Sequence, residues 1–233
     1  MGNVSFETRR GELKTYFGQT AADKWVALTS QSPVSYIRET VRAGREETRA
    51  TLLGWLPKDV TGHRVYDAGC GTGVLAQEAA SRGATVLGVD ISEALIAEAN
   101  DRATSALDRL SFIAGDMSAD HGEFDHVIAM DSLIHYPLPT IMELLEGFAQ
   151  RTTNSILFTV APSTPALEAM KFAGKFFPKN DRSPAIEPVK EKALRQAIAE
   201  AKGALADFAI EDMHRVSTGF YKSTSVKLVR RSA

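Results

Sequence analysis

The chain of 233 residues has little cysteine, no excess of charge of one sign and no long apolar run. Its one cysteine, Cys70, cannot form an internal disulfide, which favours a reducing compartment. A net charge of -2 gives no basic field that would hold a nucleic acid. No stretch approaches the roughly 18 apolar residues of a membrane-spanning helix, and the charged N-terminus is unlike a signal peptide. We therefore expect a cytoplasmic protein that does not bind nucleic acid.

The order of predicted elements is helical at first and then alternates between strand and helix. Two amphipathic stretches, about Glu12 to Leu28 and Ser35 to Trp55, come first, and Pro57 ends the second. The alternation predicts a doubly wound, mostly parallel sheet of the α/β class. Its predicted strands are Arg64–Ala68, Thr85–Asp90, Leu110–Ala114, Asp125–Met130 and Ser155–Val160, and its predicted helices are Val74–Ser81, Ser92–Thr104 and Pro139–Arg151.

The pattern changes after Ala161. Residues 162–188 are rich in proline and contain an aromatic and basic cluster, which predicts an insertion that covers the site. A helix resumes at Glu191–Lys202, and two alternating stretches around Gly219 predict a closing antiparallel pair at 208–217 and 220–229. The expected division is an N-terminal helical cover at 1–60, a core at 61–161, the insertion at 162–188, and a C-terminal helix with closing strands at 189–233.

The most informative segment is a glycine-rich loop between a predicted strand and a predicted helix, with glycine at 69, 71 and 73. Position 74 is valine, whereas the dinucleotide-binding fingerprint needs a small residue there, so NAD and FAD are not favoured. Asp67 lies two residues before the loop, where a carboxylate repels a pyrophosphate and attracts an ammonium group. The expected ligand therefore carries an amine.

Two further acids follow the next two strands. Asp90 lies 21 residues after Gly69, close to the ~20 expected for an acid that binds ribose hydroxyls. Asp116 follows the third strand, where its carboxylate can accept a hydrogen bond from an adenine amine. Either acid alone is equally well explained as a cap of the neighbouring helix. An amine, a ribose and an adenine together describe S-adenosylmethionine (SAM).

Over residues 62–161 this pattern resembles the class I SAM-dependent methyltransferases. The resemblance implies a Rossmann-like sheet of seven strands and SAM as the cofactor, with S-adenosylhomocysteine (SAH) as its product. No metal-spaced cysteine pair is present, and no protein-bound metal is expected. The residues expected to bind the cofactor are Asp67, Gly69, Cys70, Gly71, Gly73, Asp90, Ile91, Asp116, Met117 and Asp131.

Segments outside this core resemble the magnesium-protoporphyrin IX methyltransferases of chlorophyll and bacteriochlorophyll synthesis. The most specific segments are 134–137, 161–178 and 220–223. The resemblance implies that one propionate of magnesium protoporphyrin IX is esterified, that magnesium is held only by the substrate, and that His135 and Tyr16 are catalytic. It also implies handover from the porphyrin-binding subunit of magnesium chelatase, and at most peripheral contact with the photosynthetic membrane.

A porphyrin is a flat apolar disc with two propionates, and the segment after Ala161 offers aromatic side chains for the disc and cations for the carboxylates. Without the resemblance, the same aromatic residues fit the packing face of an ordinary amphipathic helix. The stretch 180–185 departs from the family's pattern of arginines, of which only Arg182 is retained. The residues expected to bind the substrate are Tyr136, Met170, Phe172, Phe176, Phe177, Arg182 and Tyr221.

Two other functions fit the same residues. One is a SAM-dependent methyltransferase that acts on another flat hydrophobic acid, phenol or quinone. The other is a SAM-binding scaffold without catalytic activity. A shift in porphyrin absorbance on mixing separates the first from the porphyrin enzyme, and cofactor binding without methyl transfer identifies the second.

Overall fold

The computed structural model describes residues 6–16, 29, 35–103, 107–164 and 186–231. Seven strands form one sheet in the order β3-β2-β1-β4-β5-β7-β6. The strands are β1 Arg64–Ala68, β2 Thr85–Asp90, β3 Leu110–Ala114, β4 Phe124–Ala129, β5 Thr152–Val160, β6 Phe208–Thr218 and β7 Tyr221–Arg230. The helices are α1 Phe6–Thr15, α2 Tyr36–Gly54, α3 Val74–Ser81, α4 Glu93–Arg102, α5 Leu138–Ala149 and α6 Glu191–Ala199.

The direction of the strands confirms the predicted fold class. Strands β1 to β5 pair in parallel, and β7 runs antiparallel to both β5 and β6. In a parallel sheet the carboxyl ends of the strands lie at one edge, where the chain turns towards the covering helices. The loops after β1, β2, β3 and β4 therefore meet at that edge.

Apolar side chains cover both faces of the sheet, as the continuous apolar strands predict. On one face, Leu145 of α5 and Leu194 of α6 are fully buried. On the other face, Leu52 and Leu53 of α2 pack with the alanines of α3. Burying one such leucine stabilises the fold by about 1.5–3 kcal/mol, so α2 is held firmly on the sheet.

The β6–β7 hairpin brings its turn onto helix α2. Gly219 in that turn has a positive φ of 53°, a conformation that favours glycine. A Cβ atom at Gly219 would lie 2.6 Å from Cβ of Thr40, so no larger side chain fits between the turn and the helix. The start of α2 is therefore adjacent to the start of β7.

Helix α1 begins at Phe6, so the prediction of a helix that starts at about Glu12 is wrong at this end. Among its described side chains only Arg9 and Leu13 are buried, which leaves little apolar periodicity to detect. Besides the burial of Leu13 in the core, two ion pairs attach the helix: Arg9 binds Glu187 at 3.3 Å, and Arg10 binds Asp116. Residues 17–28 lie outside the described residues.

Other boundaries differ by one to three residues. Strand β5 begins at Thr152 rather than Ser155, because the polar residues at its start still pair with β4. Helices α5 and α6 end at Ala149 and Ala199, before the predicted Arg151 and Lys202. Such ends depend on hydrogen bonds that the side-chain pattern does not report.

The predicted insertion begins and ends beside the carboxyl edge of the sheet. Its residues 165–185 lie outside the described residues. The backbone N–H of Ser163 donates to the carbonyl of Val189 at 3.0 Å, so the two ends lie side by side. The N–H of Glu187 donates to the carbonyl of Ile134 at 2.8 Å, next to the tip of β4. The lid and the division of the chain at 60, 161 and 188 stay predictions.

Within the described part of the chain, no helix is long and apolar enough to cross a membrane.

Candidate functional site

A cavity of about 260 Å³ lies at the carboxyl edge of the sheet. The glycine loop, helix α2 and the tip of β4 form its walls. Four acids at or just after the ends of the first four strands line it: Asp67, Asp90, Asp116 and Asp131. The sheet topology brings these acids together although they are far apart in sequence.

Asp67 is the acid whose charge is least compensated. It is 1% exposed, and its Oδ2 has no hydrogen-bond partner among the described residues. Burial, together with the negative charge of Asp90, raises the pKa of Asp67 to about 7, although a backbone hydrogen bond from Ala76 acts in the opposite direction. A buried carboxylate with an unsatisfied oxygen is costly, so a cationic group in the cavity would stabilise its charged form.

The glycine loop has backbone conformations that require glycine where it touches the cavity. Gly69 and Gly71 line the cavity with φ of 83° and 55°, and a Cβ atom at Gly69 would clash with Ser132. Gly73, with φ of 74°, begins α3 and leaves no room for a side chain against the ring of Phe112. Gly73 therefore allows α3 to pack on β3, while Gly69 and Gly71 allow a ligand to approach the backbone.

Asp90 supports the loop and also faces the cavity. Its Oδ2 accepts a hydrogen bond from the N–H of Gly71, and its Oδ1 accepts one from the N–H of Ser92, both at 2.9 Å. Burial raises the pKa of Asp90 in spite of these two bonds. The cap of α4 is Ser92, whose hydroxyl accepts from Leu95. The explanation of Asp90 as the helix cap is therefore wrong.

Asp116 lines the cavity together with Arg10 and Leu13 of α1. Its carboxylate binds the guanidinium of Arg10 and accepts hydrogen bonds from the backbone and hydroxyl of Ser118, at 2.8 and 2.7 Å. Partial burial acts to raise the pKa of Asp116, but these hydrogen bonds and the charge of Arg10 hold it below its usual range. Ile91 and Met117 also line the cavity.

Cys70 lies in the glycine loop and also lines the cavity. Burial, with Asp67 and Asp90 nearby, raises the pKa of its thiol well above the ordinary value. The thiolate is the nucleophilic form of cysteine, so this thiol is not activated. That agrees with its interpretation as a small apolar side chain beside the ligand.

The tip of β4 supplies two more of the expected residues. A short 3-10 turn, Leu133–His135, places His135 in the cavity wall with 9% of its surface exposed. Tyr136 follows it in the wall, and burial raises the pKa of its hydroxyl to about 12, so the hydroxyl keeps its proton. The hydroxyl of Ser132 donates to the carbonyl of Ala68 at 2.8 Å and fixes this tip to β1.

Not every expected residue lies in the wall of the cavity. Tyr16 and Tyr221, like Gly73, are not among the described residues that line it. Burial raises the pKa of Tyr16, which follows α1 directly. The hydroxyl of Tyr221 binds Asp131. The other five expected substrate residues lie outside the described residues: Met170, Phe172, Phe176, Phe177 and Arg182.

Sequence reasoning missed the arginines of α2. Arg42, Arg45 and Arg49 line the cavity and are spaced three and four residues apart, which places them on one face of the helix. Arg10 of α1 lines it as well. The regular spacing of cations was the available signal, but a charged helix face usually faces solvent.

Sequence comparison connects both halves of the described fold to one family. The profile described as "Magnesium-protoporphyrin IX methyltransferase C-terminus" matches residues 129–230, and a general "Methyltransferase domain" profile matches residues 65–154. The chain is 44% identical over 217 residues to a magnesium-protoporphyrin O-methyltransferase of Rhodobacter capsulatus, covering 92% of this chain and 93% of that one. The counterpart from Synechocystis is 30% identical and is covered to 95%.

Solved structures agree with the sequence matches. The crystal structure of magnesium protoporphyrin IX methyltransferase from Synechocystis with bound SAH has a TM-score of 0.84 and 29% identity, over 96% of this chain and 100% of that one. The structure of the same enzyme with bound SAM has a TM-score of 0.79 and 26% identity. The chain thus belongs to the magnesium-protoporphyrin O-methyltransferase family, whose members are SAM-dependent methyltransferases with the class I fold.

Proposed function

We propose that this chain transfers the methyl group of SAM to one propionate oxygen of magnesium protoporphyrin IX, which gives the monomethyl ester. The bond between the methyl carbon and sulfur breaks, its electron pair stays on sulfur as SAH, and a new bond joins the methyl carbon to the carboxylate oxygen. The observation that carries the proposal is the buried carboxylate of Asp67 in a glycine-lined cavity, with an Oδ2 atom that has no hydrogen-bond partner among the described residues. The substrate is supported by the 44% identical relative, whose name states that it methylates magnesium protoporphyrin.

The cavity offers the groups that the cofactor requires, at three places. When bound, SAM supplies a methyl group on positively charged sulfur. In this proposal, Asp67 binds its ammonium group, Asp90 its ribose hydroxyls and Asp116 its adenine amine. The backbone of Gly69 and Gly71 allows the amino-acid part to lie against the loop. This assignment gives Asp67 a cationic partner, whereas its Oδ2 has no hydrogen-bond partner among the described residues.

The reaction needs desolvation and alignment rather than a strong base. A propionate is already ionised near neutral pH, so the protein must remove its water and hold one oxygen in line with the methyl group. The cavity wall includes the apolar side chains of Leu13, Leu75 and Met130. Opposite charges cancel as the new bond forms, so an apolar wall destabilises the separated charges more than it destabilises the transition state.

His135 and Tyr16 are proposed to act on the substrate side. His135 lies in the cavity wall at the tip of β4, where its imidazole would orient the propionate or approach the magnesium ion from the axial side. Burial raises the pKa of Tyr16, so its hydroxyl remains protonated and able to donate a hydrogen bond. We assign that hydrogen bond to the orientation of the propionate or to closure over the cofactor.

The remaining substrate contacts are assigned to both sides of the β4 tip. Tyr136 lines the cavity, and Tyr221 supports the neighbouring Asp131. The aromatic and basic residues of the segment 165–185 are proposed to cover the disc and bind its carboxylates. Support comes from the return of that segment at Glu187, which is bonded to Ile134 beside His135.

A patch of exposed apolar side chains supports the peripheral membrane contact. Tyr36 and Ile37 at the start of α2 are 78% and 50% exposed, and Phe220 in the adjacent hairpin turn is 64% exposed. The contact between Gly219 and Thr40 brings these parts together.

Handover from the porphyrin-binding subunit of magnesium chelatase is also proposed. This proposal is based on the family's substrate and not on a surface of this chain.

We expect a single methyl ester when the protein is incubated with SAM and magnesium protoporphyrin IX. Mass analysis should detect one added methyl group and an equal amount of SAH. The matched control is the dimethyl ester of the same porphyrin, which has no carboxylate left to react. Transfer to a phenol, a quinone or another acid but not to the porphyrin would contradict the substrate. SAH binding without transfer to any of them would identify a scaffold.

Asp67 predicts that SAH binding depends on pH. The pKa of the Asp67 carboxyl is about 7 in the ligand-free protein, so the folded chain keeps this carboxyl protonated below pH 7. The stability that the bound proton contributes to the fold is therefore lost as pH rises through about 7. An ammonium group beside the carboxylate favours the ionised form, so binding releases a proton. Affinity should weaken by up to about tenfold per pH unit below 7.

The measurement is titration calorimetry with SAH across this pH range, in two buffers that differ in ionisation enthalpy. Asp67→Asn is the control: it should bind more weakly above pH 7 and lose most of the pH dependence. A wild-type affinity that does not change with pH, with no proton released, would rule out this role of Asp67.

His135→Ala and Tyr16→Phe should lower kcat for porphyrin methylation by about 10²-fold, the size expected when a positioned polar group is lost. SAH affinity should change by less than about twofold, because His135 is assigned to the substrate and Tyr16→Phe keeps the aromatic ring that would cover the cofactor. His214→Ala is the matched control, since His214 lies on β6 and is 46% exposed beside Glu47. Normal turnover in either variant would make that assignment wrong.

The membrane contact is tested by sedimentation with vesicles of phosphatidylcholine and phosphatidylglycerol. Wild-type protein should sediment with the vesicles, and the triple variant Tyr36→Ser, Ile37→Ser, Phe220→Ser should not. The control is Ile113→Ser, because Ile113 is 44% exposed on β3, outside this patch. If the wild-type protein stays in the supernatant, the membrane contact is wrong.

A further inference from the structure

Asp131 stands out from the other acids of the cavity by its backbone and its partners. It is the one non-glycine residue with positive φ, 55°, in the described part of the chain. Its side chain is 5% exposed. The hydroxyl of Tyr221 donates to its Oδ1 at 2.9 Å and lies 3.2 Å from its Oδ2, and the guanidinium of Arg45 also binds Oδ2.

These contacts join four elements at one carboxylate. Asp131 follows β4, Tyr221 begins β7, and Arg45 lies in the middle of α2. The backbone N–H of Asp131 donates to the hydroxyl of Thr159 on β5 at 2.7 Å. A Cβ atom at Gly44 would clash with the ring of Tyr221, so α2 packs directly on that ring. Contacts beside Asp131 therefore hold α2 in place on the sheet.

The same carboxylate connects two walls of the cavity. On one side, α2 presents Arg42, Arg45 and Arg49 to the cavity. On the other side, the chain continues from Asp131 directly into the turn that carries His135. A displacement of Arg45 relative to Asp131 would move one wall against the other.

The charge of Asp131 is compensated, and in this respect it differs from Asp67. Asp131 has a guanidinium and a tyrosine hydroxyl on its carboxylate, whereas Oδ2 of Asp67 has no partner among the described residues. A carboxylate with a buried cationic partner has less to gain from a cationic ligand. The sequence pattern placed both acids among the cofactor ligands, and the contacts separate them.

We propose that Asp131 is a positioning residue that holds α2 against the tip of β4 through Arg45 and Tyr221, and that it is not a ligand of the cofactor. The inference rests on the proposed function, because it concerns the same cavity. Asp131 acts through Arg45 by fixing the arginine wall in the place that the bound cofactor requires. Loss of Asp131 or loss of Arg45 would therefore release the same wall.

A double-mutant cycle on SAH affinity tests this role. Asparagine tolerates positive φ, so Asp131→Asn removes the charge and keeps the backbone. We expect Asp131→Asn and Arg45→Gln each to weaken SAH binding about tenfold, and the double variant to weaken it about tenfold as well, rather than about a hundredfold. Tyr221→Phe should weaken it by a smaller factor, because the ion pair remains.

Two results would overturn the proposal. If Asp131 binds the cofactor directly, Asp131→Asn weakens binding by the same factor in the wild-type and the Arg45→Gln backgrounds. If Arg45→Gln leaves SAH affinity unchanged, Arg45 does not transmit the effect. If Asp131→Asn does not fold by itself, the double variant is compared with Arg45→Gln. Equal SAH affinities of these two variants support the proposal, and a further loss of about tenfold in the double variant contradicts it.

Kinetics separate positioning from a general loss of folded protein. A smaller folded fraction lowers the apparent kcat and leaves KM unchanged. We expect Asp131→Asn to raise the KM for SAM by about the same factor as the Kd for SAH, with kcat changed by less than about threefold. The opposite pattern, a lower kcat at constant KM, would count against the proposal.

The control is Glu78→Gln, which removes a different ion pair of helix α2. Glu78 of α3 binds Arg49 of α2 at 3.2 Å, outside the tip of β4, and its loss should change SAH affinity by less than about twofold. Calorimetry with SAH needs no porphyrin, so the cycle is interpretable even if methyl transfer to magnesium protoporphyrin fails. Failure of that transfer refutes the proposed function, and additivity in the cycle refutes the role of Asp131.

Discussion

The site depends on the buried carboxylate of Asp67, whose Oδ2 has no hydrogen-bond partner in the part of the chain that the structure describes. The parallel sheet fixes this carboxylate at the carboxyl end of β1, where burial and the nearby Asp90 oppose its ionisation. The glycine loop leaves the adjacent space open because Gly69 and Gly71 have no side chains to fill it. A buried charge is tolerated where a ligand compensates it, so fold, loop and electrostatics all favour a small cationic molecule at the same place.

The core of the fold was predictable because its signals are local. The strands Arg64–Ala68 and Thr85–Asp90 and the helix Val74–Ser81 occur with the predicted bounds, since apolar runs, glycines and caps define them within a few residues. The acids Asp67, Asp90 and Asp116 were found for the same reason, because each is placed by the strand that it ends or follows. In a parallel sheet, local order along the chain determines which ends meet.

The rest of the site depends on pairings between distant residues, which local patterns do not contain. Arg45 and Asp131 are 86 residues apart, and Arg10 and Asp116 are 106 apart. An arginine on a helix usually faces solvent, and only the folded chain brings an acid next to each of these two arginines. For that reason sequence reasoning did not predict the ion pairs of Asp131 and Asp116, found no role for the α2 arginines, and placed the start of α1 at Glu12 rather than Phe6.

The two helices that line the cavity, α1 and α2, differ in what holds them on the sheet. Helix α2 buries Leu52 and Leu53 in the core, each worth about 1.5–3 kcal/mol, and the ion pair to Asp131 then sets its register. Helix α1 buries Leu13 in the core and adds the ion pairs of Arg9 and Arg10. The cavity thus has two helical walls that are held in different ways. Helix α2, which carries the arginines, depends mainly on its buried leucines, whereas α1, which lies beside Asp116, combines one buried leucine with two ion pairs.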